Sequence, residues 1–271
     1  MQATNTHLRA VGKRLCRWSV ILLPALLIMT GCQKPDDSWQ RIAESGVLRV
    51  GIDPTFPPFA LAEGDTIKGI DVDLAHALAG EMGLQAEFTY FGYDGLYDAL
   101  TTGQVDVLIS ALVIAPERTQ DVAYSTPYFD AGLILIYSPE KDDITDIVDL
   151  DGRVVAVELG ALGHVEALNR QSRLPAMEVR AFGSADEALA AVASGEADAA
   201  LVDSIGGRLY LREHAAGGRS LAYVAHPVVS EPYAAVVRIE DRKLLEKLNQ
   251  ALATLGDNGT VNQLIIDHLG P

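Results

Sequence analysis

The stretch that most restricts the possible folds is residues 104–128, QVDVLISALVIAPERTQDVAYSTPY. Its VDVLI run, residues 105–109, is mainly β-branched, short enough for a strand buried on both faces and too short for a buried helix. Ser110 marks the carboxyl end of that strand. Six residues on, Pro116-Glu117-Arg118 reads as a helix start, because proline is tolerated in the first turn and an acidic residue there suits the helix dipole. Arg118 is thus expected near the amino end of a helix. In an open α/β sheet the ligand crevice lies outside the carboxyl ends of the strands, and free N–H groups at a helix start favour an anion. An arginine there adds a bidentate carboxylate clamp. On spacing alone, an ordinary Glu117/Arg118 surface pair fits at least as well.

The flanking sequence extends the pattern. Residues 47–53 (VLRVGID) read as a strand, followed by the PTFPPF loop, whose prolines exclude helix interior and fix where Phe56 and Phe59 project. Residues 71–82 give a helix, 85–91 a strand and 93–102 a short helix ended by Gly103, so the order up to residue 109 is β-α-β-α-β. The same order then returns: strand 153–157, loop and helix 160–169, strand 177–181, helix 186–194, strand 198–202. Residues 101–110 (TTGQVDVLIS) and 193–203 (ASGEADAALVD) share a helix end, a glycine, an aspartate and an apolar strand. Two similar α/β lobes are expected. Two closing helices, 242–255 and 261–269, have no strand partner of their own and are expected to pack on the first lobe.

The amino end is a separate matter. Arg9, Lys13, Arg14 and Arg17 precede an apolar run from Trp18 to Met29, broken by Pro24 and closed by Thr30-Gly31-Cys32, which reads as a signal peptide (1–31) and is too short for a membrane span. The Met-Thr-Gly-Cys end resembles a bacterial lipobox, which implies lipidation of Cys32 and attachment to the membrane through lipid alone. Residues 32–46 then read as a tether. Cleavage removes four of the 21 cations and none of the 37 anions, so the mature chain is more acidic than the full chain at −16, and nucleic acid is excluded as a partner. It also removes Cys16, leaving Cys32 as the only thiol and no internal disulfide.

Taken together, the segments LRVGIDPTFPPF, GIDVDLAHALAGEMG, DGLYDALTTGQVDVLISALVIAPER, YSTPYFDAGLILI, DLDGRVVAVELGALG, ADEALAAVASGEADAALVD, EPYAAVVR and DNGT resemble the amino-acid-type (family 3) extracytoplasmic solute-binding proteins of ABC importers, in family order over residues 47–270. The resemblance implies a type II periplasmic binding protein: lobe 1 from 47–132 and 232–271, lobe 2 from 133–231, and a two-strand hinge at 131–133 and 231–234. It implies that Arg118 holds a ligand carboxylate, that Asp203 holds its ammonium, and that Phe56 and Tyr93 sandwich the side chain. Asp53, Ser110, Ala111 and Val113 complete the first-lobe set, and Ala161 and Leu162 the second. In the family, hydroxyl side chains are usual where this chain has Val113, Ala161 and Leu162, so part of the carboxylate clamp is apolar; each lost charge-assisted hydroxyl bond is worth about 1.5–3 kcal/mol. The implied partners are a small-molecule ligand, an amino acid or related zwitterion or carboxylate, and an ABC permease, with the protein a monomer. Both Arg118 and Asp203 are expected to face the water of the open cleft, so that removing either leaves the unliganded fold intact.

Other constellations are weaker. His76, His164, His214, His226 and His268 show no metal-ligand spacing, and no GxSxG, Walker or GxGxxG segment occurs, so no metal or cofactor is implied. The rival is an enzyme, because some relatives of this fold dehydrate cyclic acids such as prephenate or arogenate. A dehydratase needs a carboxyl acid or base in the cleft, and Glu158 and Glu166 are the candidates near the second-lobe loop.

Overall fold

The computed structural model describes residues 36–64, 66–215 and 220–270. The segment read as a signal peptide, residues 1–31, and Cys32 lie outside the described residues. Helix α1 (Ser38–Ser45) opens the folded unit and occupies most of the segment read as a tether. The reason lies in its few apolar residues: Ile42 is fully buried, Trp39 packs beside it on the same core, and Gly46 closes the helix in a left-handed turn whose N–H reaches the Ile42 carbonyl. Asp36 fastens the entry, accepting from the Lys243 N–H at 2.7 Å and from the Ser38 hydroxyl at 2.7 Å.

From there the chain runs through β1 (Val47–Ile52), a small three-stranded ribbon of β2 (Thr55–Phe56), β3 (Ala60–Glu63) and β4 (Thr66–Lys68), then α2 (Ile70–Glu81), β5 (Gln85–Tyr90), α3 (Leu96–Thr101), β6 (Val107–Leu108) and β7 (Val122–Tyr124). It leaves the first lobe along β8 (Phe129–Asp130) and builds β9 (Leu133–Tyr137), β10 (Val154–Glu158), α4 (Leu162–Gln171), β11 (Glu178–Phe182), α5 (Ala185–Ser194), β12 (Ala199–Asp203), α6 (Ser204–His214) and β13 (Ala222–Tyr223). It returns along β14 (Pro232–Tyr233) to β15 (Val236–Arg238), α7 (Arg242–Asp257) and α8 (Thr260–Leu269).

The two five-stranded sheets have corresponding orders, β5-β1-β6-β15-β7 and β11-β10-β12-β9-β13. In each, the first three strands are parallel and the fourth runs antiparallel to the third. In each lobe that fourth strand is the one continuing from a crossing, β9 after β8 and β15 after β14, so the sheets and the hinge are one continuous piece of backbone. The fold is the two-lobed α/β architecture that the repeated pattern implies. Helices α7 and α8 place Leu244, Leu248, Leu252 and Leu269 in the same core as Leu48 and Leu74, on the first lobe.

The crossings pair β14 antiparallel with β8. Asp130 stitches them, accepting from Gly132 N at 3.1 Å, Glu231 N at 2.7 Å and the Ser230 hydroxyl. Gly132 has no alternative here: a Cβ would lie 1.7 Å from the Val229 carbonyl oxygen.

Candidate functional site

Asp53, Ser110 and Asp203 lie at or just beyond the carboxyl end of a parallel strand, where β-α-β geometry leaves a crevice. On the first lobe, Asp53 follows β1 and Ser110 lies two residues beyond β6, and the two are joined: the Asp53 N–H donates to the Ser110 hydroxyl at 3.0 Å. Asp53 is buried, and its Oδ1 accepts from Thr55 N at 3.0 Å and Thr55 Oγ1 at 2.7 Å. That turn launches β2 and sets Phe56, which stacks on Phe59 with centroids 5.7 Å apart. Phe59 is locked edge-on against Phe129 and Tyr233 of the crossings. Phe56 and Tyr93 remain 45% and 59% exposed, large aromatic side chains open to solvent on one side.

Ala111 follows Ser110 at φ 47°, a left-handed conformation that a side chain disfavours by about 1–2 kcal/mol. It is held there from below. Its N–H donates to the Tyr128 hydroxyl at 3.2 Å, and that hydroxyl donates to Asp71 Oδ1 at 2.7 Å. Burial pushes the Asp71 carboxyl up to about 7, against partial opposition from its hydrogen bonds, and its Oδ2 has no partner. Val113 bridges to Tyr233, and Ile114 N and Leu112 O bond the backbone of residues 232 and 234, so the loop is tied to the second crossing.

Arg118 is exposed, as expected of a ligand-facing cation, but it does not begin an α-helix. Residues Pro116–Arg118 form a single 3₁₀ turn, because β7 starts four residues later and must pair with β15. What positions Arg118 is the Tyr97 ring, 4.0 Å beneath its guanidinium. The Tyr97 hydroxyl meets that of Tyr124 at 3.3 Å, and burial raises its pKa well above the ordinary value. Arg118 makes no ion pair with any described residue.

On the second lobe, β10 ends at Glu158 and β12 at Asp203, and between them a concavity of about 60 Å³ is lined by Leu133, Glu158, Ala161, Leu162, Val202 and Asp203, among others. Ala161 caps α4 without a side-chain bond, and Leu162, in its first turn, stays 58% exposed. Gly163 lets α4 approach the sheet, since a Cβ would lie 2.3 Å from the Leu201 carbonyl oxygen. Asp203 is exposed, but its Oδ1 accepts from Gly206 N at 2.7 Å and caps α6. Its removal therefore also costs a cap, about 1 kcal/mol, contrary to the expectation that the unliganded fold is indifferent to it. Burial raises the Tyr233 hydroxyl to about 12, with the Glu231 carboxylate adding to the effect and Asp71 and Asp203 after it.

The structure thus gathers Asp53, Phe56, Ser110 and Ala111 into one bonded first-lobe group and Ala161, Leu162 and Asp203 around one second-lobe hollow. Sequence reasoning missed Asp71, Tyr128, Tyr97 and Asp130. Glu166, the other acid considered, is paired with Arg170 at 2.6 Å. Among the described residues no group of side chains is placed to hold a metal ion, and no helix is long and apolar enough to cross a membrane.

The profile of the bacterial extracellular solute-binding proteins, family 3, matches residues 48–271. The chain is 29% identical to the ABC transporter arginine-binding protein 1 of Escherichia coli (strain K12), over 80% of this chain and 88% of that one. Among solved structures it is 33% identical to an ancestral cationic amino acid solute-binding protein (TM-score 0.57; 85% of this chain, 98% of that chain). It is 27% identical to an ancestral cyclohexadienyl dehydratase (TM-score 0.73; 85% and 95%).

Proposed function

The chain belongs to the family 3 bacterial extracellular solute-binding proteins, and we propose that it captures an amino acid, or a related small zwitterion or carboxylate, between its lobes and delivers it to an ABC importer. The observation that carries this reading is a pair of opposite charges exposed on separate lobes, Arg118 in the turn before β7 and Asp203 at the carboxyl end of β12. Arg118 is mounted on Tyr97 without a counter-ion among the described residues, and Asp203 keeps a carboxylate oxygen beyond the one that caps α6. A zwitterion supplies both missing partners, and closing about β8 and β14 brings them to it. Phe56 and Tyr93 offer the apolar walls for a side chain. Where Val113, Ala161 and Leu162 supply no hydroxyl, the first-turn N–H groups of α4 are the remaining second-lobe donors to a carboxylate.

The similarity of the arginine-binding relative supports an amino-acid ligand, and the charge of the mature chain supports a cationic or zwitterionic one. The protein acts as a binder and not an enzyme, carried as a monomer on the membrane by a lipid on Cys32. The lobes divide at 132/133 and 231/232.

A thermal-shift screen of the exported protein, unfolded and refolded free of ligand, against amino acids, opines, polyamines and small carboxylates tests this. A true solute at 1,000 times its Kd adds about 4 kcal/mol of stability. A screen in which only non-zwitterionic compounds stabilise the protein overturns the amino-acid reading. Conversion of cyclohexadienyl acids to aromatic product overturns the non-enzymatic one, and Cys32→Ala protein that still partitions with membranes overturns the lipid anchor.

A further inference from the structure

Resting on the solute-binding reading above, we propose that Glu158 is a second cation-binding carboxylate of the site, which makes the solute a basic amino acid with a side-chain ammonium or guanidinium beside its α-ammonium.

Glu158 ends β10, one strand over from β12 with its terminal Asp203, and both acids line the same hollow. The rest of that lining, Leu133, Ala161, Leu162, Gly163 and Val202 among it, brings no side-chain donor. Glu158 is half-buried, yet its carboxylate has no hydrogen bond or ion pair with a described residue. Three other acids of this lobe are ion-paired: Glu166 to Arg170 at 2.6 Å, Glu178 to Arg180 at 2.7 Å, Asp198 to Lys141 at 3.0 Å. An unmatched carboxylate that closure would bury further is costly unless a cation arrives with the closing event.

Charge counting then selects the solute. Arg118 takes the carboxylate and Asp203 the α-ammonium, so a neutral amino acid leaves Glu158 sealed in without a partner. A basic one supplies the second cation. Asp53 is the less suitable acid for this cation, because its Oδ1 already accepts two bonds from Thr55 and the residue is buried.

Calorimetric titration of the ligand-free protein with lysine and its uncharged counterpart norleucine, and with arginine and citrulline, reads this directly. The unmodified protein should prefer at least one basic member over its neutral counterpart by about 30-fold or more. Glu158→Gln should cut that preference below threefold, with the neutral member bound at least as tightly as by the unmodified protein because no unpaired carboxylate is then sealed in. Equal affinity for charged and neutral members in the unmodified protein overturns the proposal without any variant, and so does a Glu158→Gln protein that keeps the preference. If neutral amino acids bind in an Arg118-dependent manner with no preference for the charged member, the Glu158 assignment alone is wrong. If no amino acid binds, the solute reading falls and takes this inference with it.

Discussion

Replacing Tyr128 by phenylalanine removes one oxygen atom from beneath the ligand loop, and its cost can be worked out from the geometry. The hydroxyl spans Asp71 Oδ1 at 2.7 Å and Ala111 N at 3.2 Å, and all three residues are buried. Without it the Ala111 N–H is orphaned at about 1–3 kcal/mol, and Asp71 loses a comparable bond while its Oδ2 already lacks one. Ala111 also loses what holds it at φ 47°, so part of the penalty is recovered as the loop relaxes. A net loss of about 3 kcal/mol is expected. At about 2–4 °C per kcal/mol for a fold of this size, the melting temperature should fall by roughly 6–12 °C. Thermal unfolding of the ligand-free protein followed by circular dichroism at pH 7 is the assay. Because Ala111 leads into Val113 and Arg118, solute affinity should fall as well. A drop of under about 2 °C with unchanged affinity would refute the claim that this hydroxyl holds the loop.

Three further perturbations follow from the same structure. Asp71, raised by burial to about 7 from its ordinary 3.8, holds a proton in the folded state that the unfolded chain has already released; its contribution is complete below about pH 4 and is lost as pH rises through 7. Asp71→Asn should therefore gain melting temperature relative to the unmodified protein between pH 5 and pH 8, and parallel curves would contradict the shift. Gly132→Ala places a Cβ 1.7 Å from the Val229 carbonyl oxygen at the crossing and should cost more than about 4 kcal/mol or prevent folding; a near-normal urea midpoint would mean that the crossing yields easily. Arg118→Lys keeps the charge but loses the planar stack on Tyr97 and the bidentate fork, so affinity should drop at least about tenfold with the ligand-free melting temperature within about 2 °C.

Short β-branched runs and their order made the lobes legible, because a parallel strand buried on both faces leaves a mark within five residues. The positions at and just after the strand ends were legible for the same reason: Asp53, Ser110, Glu158 and Asp203 lie there. What escaped depends on partners far away in sequence. Nothing local to Asp71 announces Tyr128, 57 residues on, and nothing local to Arg118 announces Tyr97 as its platform. The 3₁₀ turn at Pro116 looks like a helix start until β7 is known to claim Val122 for the sheet. Helix α1 was hidden because only Trp39, Ile42 and Ala43 are apolar in a polar octet, too few for a periodic signal. Strands β9 and β15, similar in composition to their neighbours, reveal their antiparallel direction only through the crossings that deliver them.

The central claim is that Arg118 and Asp203 hold opposite ends of one zwitterion. Calorimetric titration of Arg118→Ala and Asp203→Asn with the best solute tests it most directly, the asparagine being chosen because it keeps the α6 cap while removing the charge. Each variant should lose about 2–5 kcal/mol, roughly 30-fold or more in affinity, with ligand-free melting temperatures close to that of the unmodified protein. Retention of affinity within threefold by Arg118→Ala would contradict the account.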